Sequence, residues 1–409
     1  MSAVAALRRH VAAWTYDAGQ EAASPRDLRL DLLRGFAVFV MIADHIGGER
    51  SWLYLVTGGN RFFVSAAEGF VIISGVVMGS VYRQVLTREG VLAMVSRCLR
   101  RAGFLYVLTV TLTLFFALAS HLLQSHWTGS VTPAQPLRFV VGVLTLHRSY
   151  SLTDVLLMYT FFVFAAPAML ALMYAGRTGL VLLGSWTLWL LWQIWPQEVQ
   201  IPWPIVDGGF PIAAWQVLFA NGVVVGYHRD AIKRWLTPHR RTVVFAGVAT
   251  VAIVLIGLFV AAVASGQASL LTWVLSTELL FGKNDVRVGR VLSILAVVPF
   301  LYGLVSVLWR PLVRGLGWLL MPFGRNALGA YALHLFVAAA AASWIGDPLR
   351  SGGEHTFIQV TGIFIVWAAL PVLPWVAGLE PELSARADQL RHPLARLLGL
   401  RGPAEAKVS

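Results

Sequence analysis

The chain has 409 residues, 57% of them hydrophobic and only 13% charged, with a net charge of +12. Its one cysteine, Cys98, excludes an intrachain disulfide and any metal site built from several thiolates. The basic residues sit between apolar runs and form no continuous stripe, which argues against nucleic acid as a partner and for a lipid bilayer.

Apolar runs long enough to cross a bilayer recur along the chain. They predict an all-α, polytopic bundle of about ten transmembrane helices, at 30–46, 62–82, 102–123, 152–174, 178–195, 212–227, 243–264, 291–308, 318–344 and 357–376. Residues 30–376 then form the transmembrane domain, flanked by cytoplasmic segments 1–29 and 377–409. The first segment has no uninterrupted apolar stretch, so no ordinary secretory signal peptide is expected. Segments 137–146 and 270–281 are too short to span and suit re-entrant or interfacial positions. The ninth span is long enough to break near Asn326 and Gly329. No internal repeat is visible, which disfavours the repeat architecture common among transporters.

Arg and Lys alternate with poor loops. One set holds Arg8, Arg9, Arg83, Arg97, Arg229, Lys233, Arg310 and Arg386, whereas 193–214 holds none. The positive-inside rule makes the rich set, and both termini, cytoplasmic.

The first span carries Asp31, Arg34 and His45 on one stripe. Arg34 and His45 are 11 residues apart, about three turns or ~16 Å of helix rise. Ionisable groups inside a membrane usually face a protein interior or a wet cavity. Here Arg34 falls near the cytoplasm and His45 in the outer half. The second span places Glu68 at a depth comparable to His45, where a carboxylate could orient an imidazole acting as a general base or simply bond a neighbouring helix. Its pairs Ser65/Gly69 and Gly75/Gly79 permit close helix approach. Arg97, Arg100 and Arg101 share one face of the third span, an arrangement suited to phosphate groups and equally to setting topology.

Asp154 opens the fourth span, able to bind a hydroxylated acceptor or to cap the helix around Thr153. Gln216 and Asn221 lie inside the sixth, and His334 is a second deep histidine; polar groups at such positions bind substrate or join helices. Trp127, Tyr150, Trp195, Trp203 and Trp215, with His121, His126, His147 and Arg148, suit either a sugar surface or an interfacial belt. No metal ligand set is evident.

These fragments, in order and spacing, resemble the OpgC family of membrane acyltransferases, related to the wider acyltransferase-3 families. The resemblance covers about residues 26–345. It rests on Asp31-Leu-Leu-Arg34-Gly with His45, Glu68-Gly-Phe-Val-Ile-Ile-Ser-Gly75, Arg97-x-x-Arg100, Trp215-Gln216 with Gly222, and Tyr331-Ala-Leu-His334. It implies transfer of an acyl group, succinyl in the proteobacterial members, from cytoplasmic acyl-CoA to a hydroxyl of an extracytoplasmic glycan. By position, His45 would be the base, and Arg34, Arg97 and Arg100 would hold the donor. Acyl-CoA is then a co-substrate, with no tightly bound cofactor. The rival expectation is a proton-coupled transporter or flippase of an envelope glycan, with Asp31, Arg34, His45 and Glu68 as a relay.

Overall fold

The computed structural model describes residues 27–47, 51–58, 62–123, 135–149, 152–206, 209–265, 278–345 and 351–372. The terminal segments and the positions of Trp127, His126 and Tyr150 lie outside them. Among the described residues the chain is helical, with one isolated parallel bridge between Arg148 and Val206 and no strand.

In chain order the helices are α1 (Leu28–Gly47), α2 (Tyr54–Thr57), α3 (Ala66–Glu89), α4 (Val91–Leu123), α5 (Pro136–Leu144), α6 (Asp154–Tyr174), α7 (Thr178–Ile194) and α8 (Ile212–Tyr227). They continue with α9 (Arg229–Trp235), α10 (Pro238–Ala264), α11 (Glu278–Phe281), α12 (Val288–Val307), α13 (Trp309–Arg325), α14 (Ala327–Ile345) and α15 (Gly352–Ala369). Five of them, α3, α4, α6, α10 and α12, are long and apolar enough to cross a membrane. Helices α7, α8 and α14 are apolar but shorter. Helix α1 falls outside that group because Arg29, Asp31, Arg34 and Asp44 interrupt its apolar run.

The expected span at 318–344 is two helices. Helix α13 ends at Arg325, Asn326 caps it, and α14 begins at once. Helix α4 starts eleven residues before the expected 102, so Arg97, Arg100 and Arg101 lie inside a helix.

Two glycine crossings set the packing. Helix α3 lies against α8 through Gly75 and Gly79 on one side and Gly222 and Gly226 on the other. A Cβ on Gly79 would stand 2.1 Å from the Val223 carbonyl oxygen, and one on Gly222 would stand 2.3 Å from that of Ile72. Only hydrogen fits there, so the backbones touch. The second expected pair fails: Ser65 is the N-cap of α3, and Gly69 has open space around it. Gly79→Ala is therefore expected to lose about 1–3 kcal/mol or more through forced separation of the helices. Gly69→Ala should change stability by less than ~0.5 kcal/mol. Thermal unfolding of both variants in detergent makes the comparison. In the other crossing, Gly35 of α1 meets Gly324 of α13, where a Cβ on Gly324 would stand 1.8 Å from the Asp31 carbonyl oxygen.

A polar cluster ties the basic ends of three helices together. Asp27, just before α1, accepts from Arg29 Nε at 3.0 Å and from Tyr302 Oη at 2.8 Å, and pairs with Arg229. Burial alone would raise its pKa. Hydrogen bonds from Arg29 and Tyr302, with the charges of Arg29 and Arg229, outweigh that and hold it below the usual 3.8. A depressed carboxylate stabilises the fold fully above its unfolded value, and the contribution disappears as pH falls through the folded value. Asp27→Asn should thus lower the melting temperature at pH 7, and the gap to the parent should narrow as pH falls below 3.8. Melting curves of both proteins across pH 3–7 test this.

Candidate functional site

The centre of the site is a pair of histidines brought together from opposite ends of the sequence. His45, in the last turn of α1, lies with Nδ1 2.8 Å from Nε2 of His334 in α14. The rings stack with centroids 5.0 Å apart. His334 is fully buried, its Nδ1 is bonded to the Tyr331 carbonyl oxygen one turn earlier, and the Tyr331 ring meets it edge-on at 4.6 Å. Tyr331 is fixed in turn, its hydroxyl donating to the Leu152 carbonyl at 2.8 Å.

Two spaces lie nearby, one lined by His45 and the other by Tyr331, the partner of His334. The larger, about 480 Å3, is lined by three guanidinium-bearing residues, Arg34, Arg101 and Arg325, and by Tyr159 and Tyr331. The smaller, about 60 Å3, is lined by His45 itself with Asp44, Asp154 and Lys283. Val155 lines both.

Arg34 is held by α13. Its Nε donates to the Gly324 carbonyl at 3.0 Å, with the Asp31 carboxylate at 3.5 Å. The last carbonyls of a helix lack partners along its axis and carry the negative end of its dipole, so a guanidinium fits there. The close Gly35–Gly324 crossing makes the reach short enough.

The turn at 282–287 carries Lys283 to the small cleft. Trp189 and Trp215 donate their indole N–H to the carbonyls of Val286 and Asn284, at 2.9 and 2.8 Å, and Trp192 donates to Asp285 at 3.1 Å. Three indoles from α7 and α8 thus pin one turn. Asp154 is the first residue of α6, and its carboxylate accepts the Val155 N–H at 2.7 Å. Capping and cleft lining therefore fall to the same side chain.

Several expected site residues lie elsewhere. Glu68 bonds Arg290 of α12 at 3.1 Å and accepts the Ser65 N–H at 2.6 Å, so its carboxylate is turned to those partners and the orienting neighbour of His45 is His334. Arg97 pairs with Glu89 at the exposed α3–α4 hairpin, 2.5 Å away, outside the arginine-lined cavity. Arg100 does not line that cavity either, while Arg101 does. Gln216 exchanges hydrogen bonds with Ser185 of α7, Oε1 accepting at 2.7 Å and Nε2 donating to its carbonyl at 2.7 Å. Asn221 donates to Val217 on its own helix at 2.7 Å. Gln216 thus joins two helices, Asn221 bonds only within its own, and neither lines the cleft. Trp215 is buried, and Trp203 stacks on His147 at 4.8 Å.

Sequence reasoning missed Asp44, Lys283, Arg290 and Arg325. Asp44 was visible beside His45. Ser65-Ala-Ala-Glu68 is a capping-box pattern ahead of an apolar run, a signal that Glu68 belongs to the start of α3. Nothing local marks Lys283 or Arg325.

A sequence model of the family described as OpgC protein matches residues 26–377. No curated protein and no solved structure matches the chain.

Proposed function

The chain belongs to the OpgC protein family, and from that premise we propose an O-acyltransferase that moves an acyl group from cytoplasmic acyl-CoA to a hydroxyl of an extracytoplasmic glycan. Membership suggests a membrane acyltransferase-type function; donor, acceptor and direction are our reading. The observation that carries it is that His45 lines a cleft bearing Asp44, Asp154 and Lys283, while its partner His334 is bonded to Tyr331, which lines an arginine-bearing cavity. Acyl transfer needs a base for the hydroxyl proton and a positive group near developing negative charge. His45 supplies the base. The three guanidiniums suit the phosphates of a CoA thioester, bidentate and permanently charged. Carboxylates and an ammonium suit a polyhydroxylated acceptor. The Arg-rich loops turn the arginine end to the cytoplasm, where CoA is. Succinyl is the acyl group to test first, as the family resemblance implies.

The rival relay named Asp31, Arg34, His45 and Glu68; here Arg34 is bonded to the Gly324 carbonyl and Asp31, Glu68 to Arg290 and Ser65, and His45 to His334. The bonds from His45 through His334 end on a backbone carbonyl, so a proton taken up at His45 is not passed on through His334.

The deciding experiment is mass spectrometry of envelope glycans from cells with and without the protein. A glycan that loses one acyl mass on deletion supports the reading, and identical glycans overturn it. The donor site makes its own prediction. Arg101→Ala and Arg325→Ala should each weaken acyl-CoA binding about tenfold or more, since a hydrogen bond to a charged group contributes about 1.5–3 kcal/mol. Arg97→Ala should bind as the parent does. Calorimetric titration of the purified variants separates these outcomes.

A further inference from the structure

We propose that His334 is a positioning residue which fixes the tautomer of His45, so that His45 Nε2 is the atom that takes the acceptor's proton. This rests on the acyltransferase reading for its chemistry, but the bonds that carry it stand apart from that reading.

The assignment follows from which atoms can donate. His334 Nδ1 is bonded to the Tyr331 carbonyl oxygen. A carbonyl only accepts, so Nδ1 must carry the hydrogen. In a neutral imidazole the other nitrogen is then bare, and Nε2 of His334 can only accept. Its partner is Nδ1 of His45 at 2.8 Å, which therefore donates. The remaining nitrogen of His45, Nε2, is left with its lone pair. His45 lines the small cleft with Asp44 and Asp154.

The geometry has no freedom to reverse. His334 is fully buried on α14, and the carbonyl it bonds belongs to the same helix, three residues earlier. A flipped ring would turn carbon-bound hydrogens to the Tyr331 carbonyl and to His45, leaving both buried nitrogens of His334 away from these partners and the Nδ1–H of His45 without an acceptor. Burial makes either costly. The arrangement does for His45 what a carboxylate does in many hydrolases, except that the orienting group is neutral.

The step balances without a further reactant. His45 Nε2 takes the hydroxyl proton while the hydroxyl oxygen bonds to the thioester carbonyl carbon. The carbon–sulfur bond breaks, the thiolate leaves, and His45 returns the proton to the sulfur. His334 touches neither reactant and holds the Nδ1–H of the imidazolium throughout.

Two variants and one spectrum test the proposal. In His334→Leu the acceptor is gone; kcat should fall at least about tenfold, towards the ~10⁴-fold that a wrong tautomer costs a catalytic imidazole, with KM for donor and acceptor unchanged. His334→Gln places a carbonyl oxygen near the position of Nε2 and should recover most of the lost kcat. Nitrogen-15 solid-state spectra of histidine-labelled protein, assigned by the signal missing from His45→Ala, should show His45 with a protonated Nδ1 and a bare Nε2. In His334→Leu that pattern should be lost. A parent spectrum with Nε2 protonated overturns the proposal, as does parental kcat in His334→Leu or no recovery in His334→Gln. If the parent moves no acyl group at all, the acyltransferase reading falls, and the spectrum still decides the tautomer.

Discussion

His45→Ala is expected to give a folded protein whose acyl transfer is about 10²–10⁴-fold slower than the parent's, the range a positioned general base contributes. The fold should survive because the imidazole is bonded to His334 at the edge of a cleft. Its loss leaves one buried nitrogen without a donor, a cost of about 1–3 kcal/mol. The measurement is turnover of acyl-CoA by the purified variant, with thermal stability alongside to show that the protein is intact. Donor affinity should not move, since the arginines line the other cavity. Turnover near the parental rate would remove His45 from the chemistry.

The largest stability effect is expected at Arg290. Its guanidinium is 3% exposed and its partner Glu68 is 0% exposed. Arg290→Met leaves the carboxylate buried, without its guanidinium partner and supported by the Ser65 N–H and the nearby Lys283 charge. Breaking one side of a buried pair typically costs about 3–5 kcal/mol, because the other charge stays in a low-dielectric setting. The Phe281 carbonyl, which accepts from Arg290 Nε at 2.6 Å, also loses its donor. Adding Glu68→Gln should recover much of the loss by removing the charge. Melting temperatures of the parent, the single variant and the double variant make the comparison. A single variant as stable as the parent would show that the carboxylate finds other support.

Local pattern carried much of this fold. The apolar run at 212–227 coincides with α8, and Gly75/Gly79 lies where small side chains were needed. The break near Asn326 was foreshadowed by Pro322 and Gly324 just before it. What could not be read locally was partner choice. His45 and His334 are 289 positions apart, and Glu68 and Arg290 are 222 apart. Helical periodicity says which residues share a face, not what that face meets. The arginines of α4 illustrate the limit. Arg97 and Arg101 are one turn apart on the same side, yet the first reaches Glu89 across an exposed hairpin and the second lines the cavity. Which does which follows from where α3 ends, and that depends on Gly90, whose φ of +87° makes the turn.

The Gly35–Gly324 crossing bears on how the protein is made. Among the described helices α1 is made first, and it is poorly suited to lipid, since it carries Arg29, Asp31, Arg34 and Asp44. The carbonyl that holds Arg34 is encoded 290 residues later, and the imidazole that holds His45 comes 289 residues later. Among the described residues, the five helices long and apolar enough to cross a membrane are complete by Val307. A nascent chain of that length has its apolar spans but none of the backbone that shelters Arg34. Helix α1 gains these partners only once α13 and α14 are present. The groups that shelter the polar face of α1 thus arrive only with the last quarter of the chain.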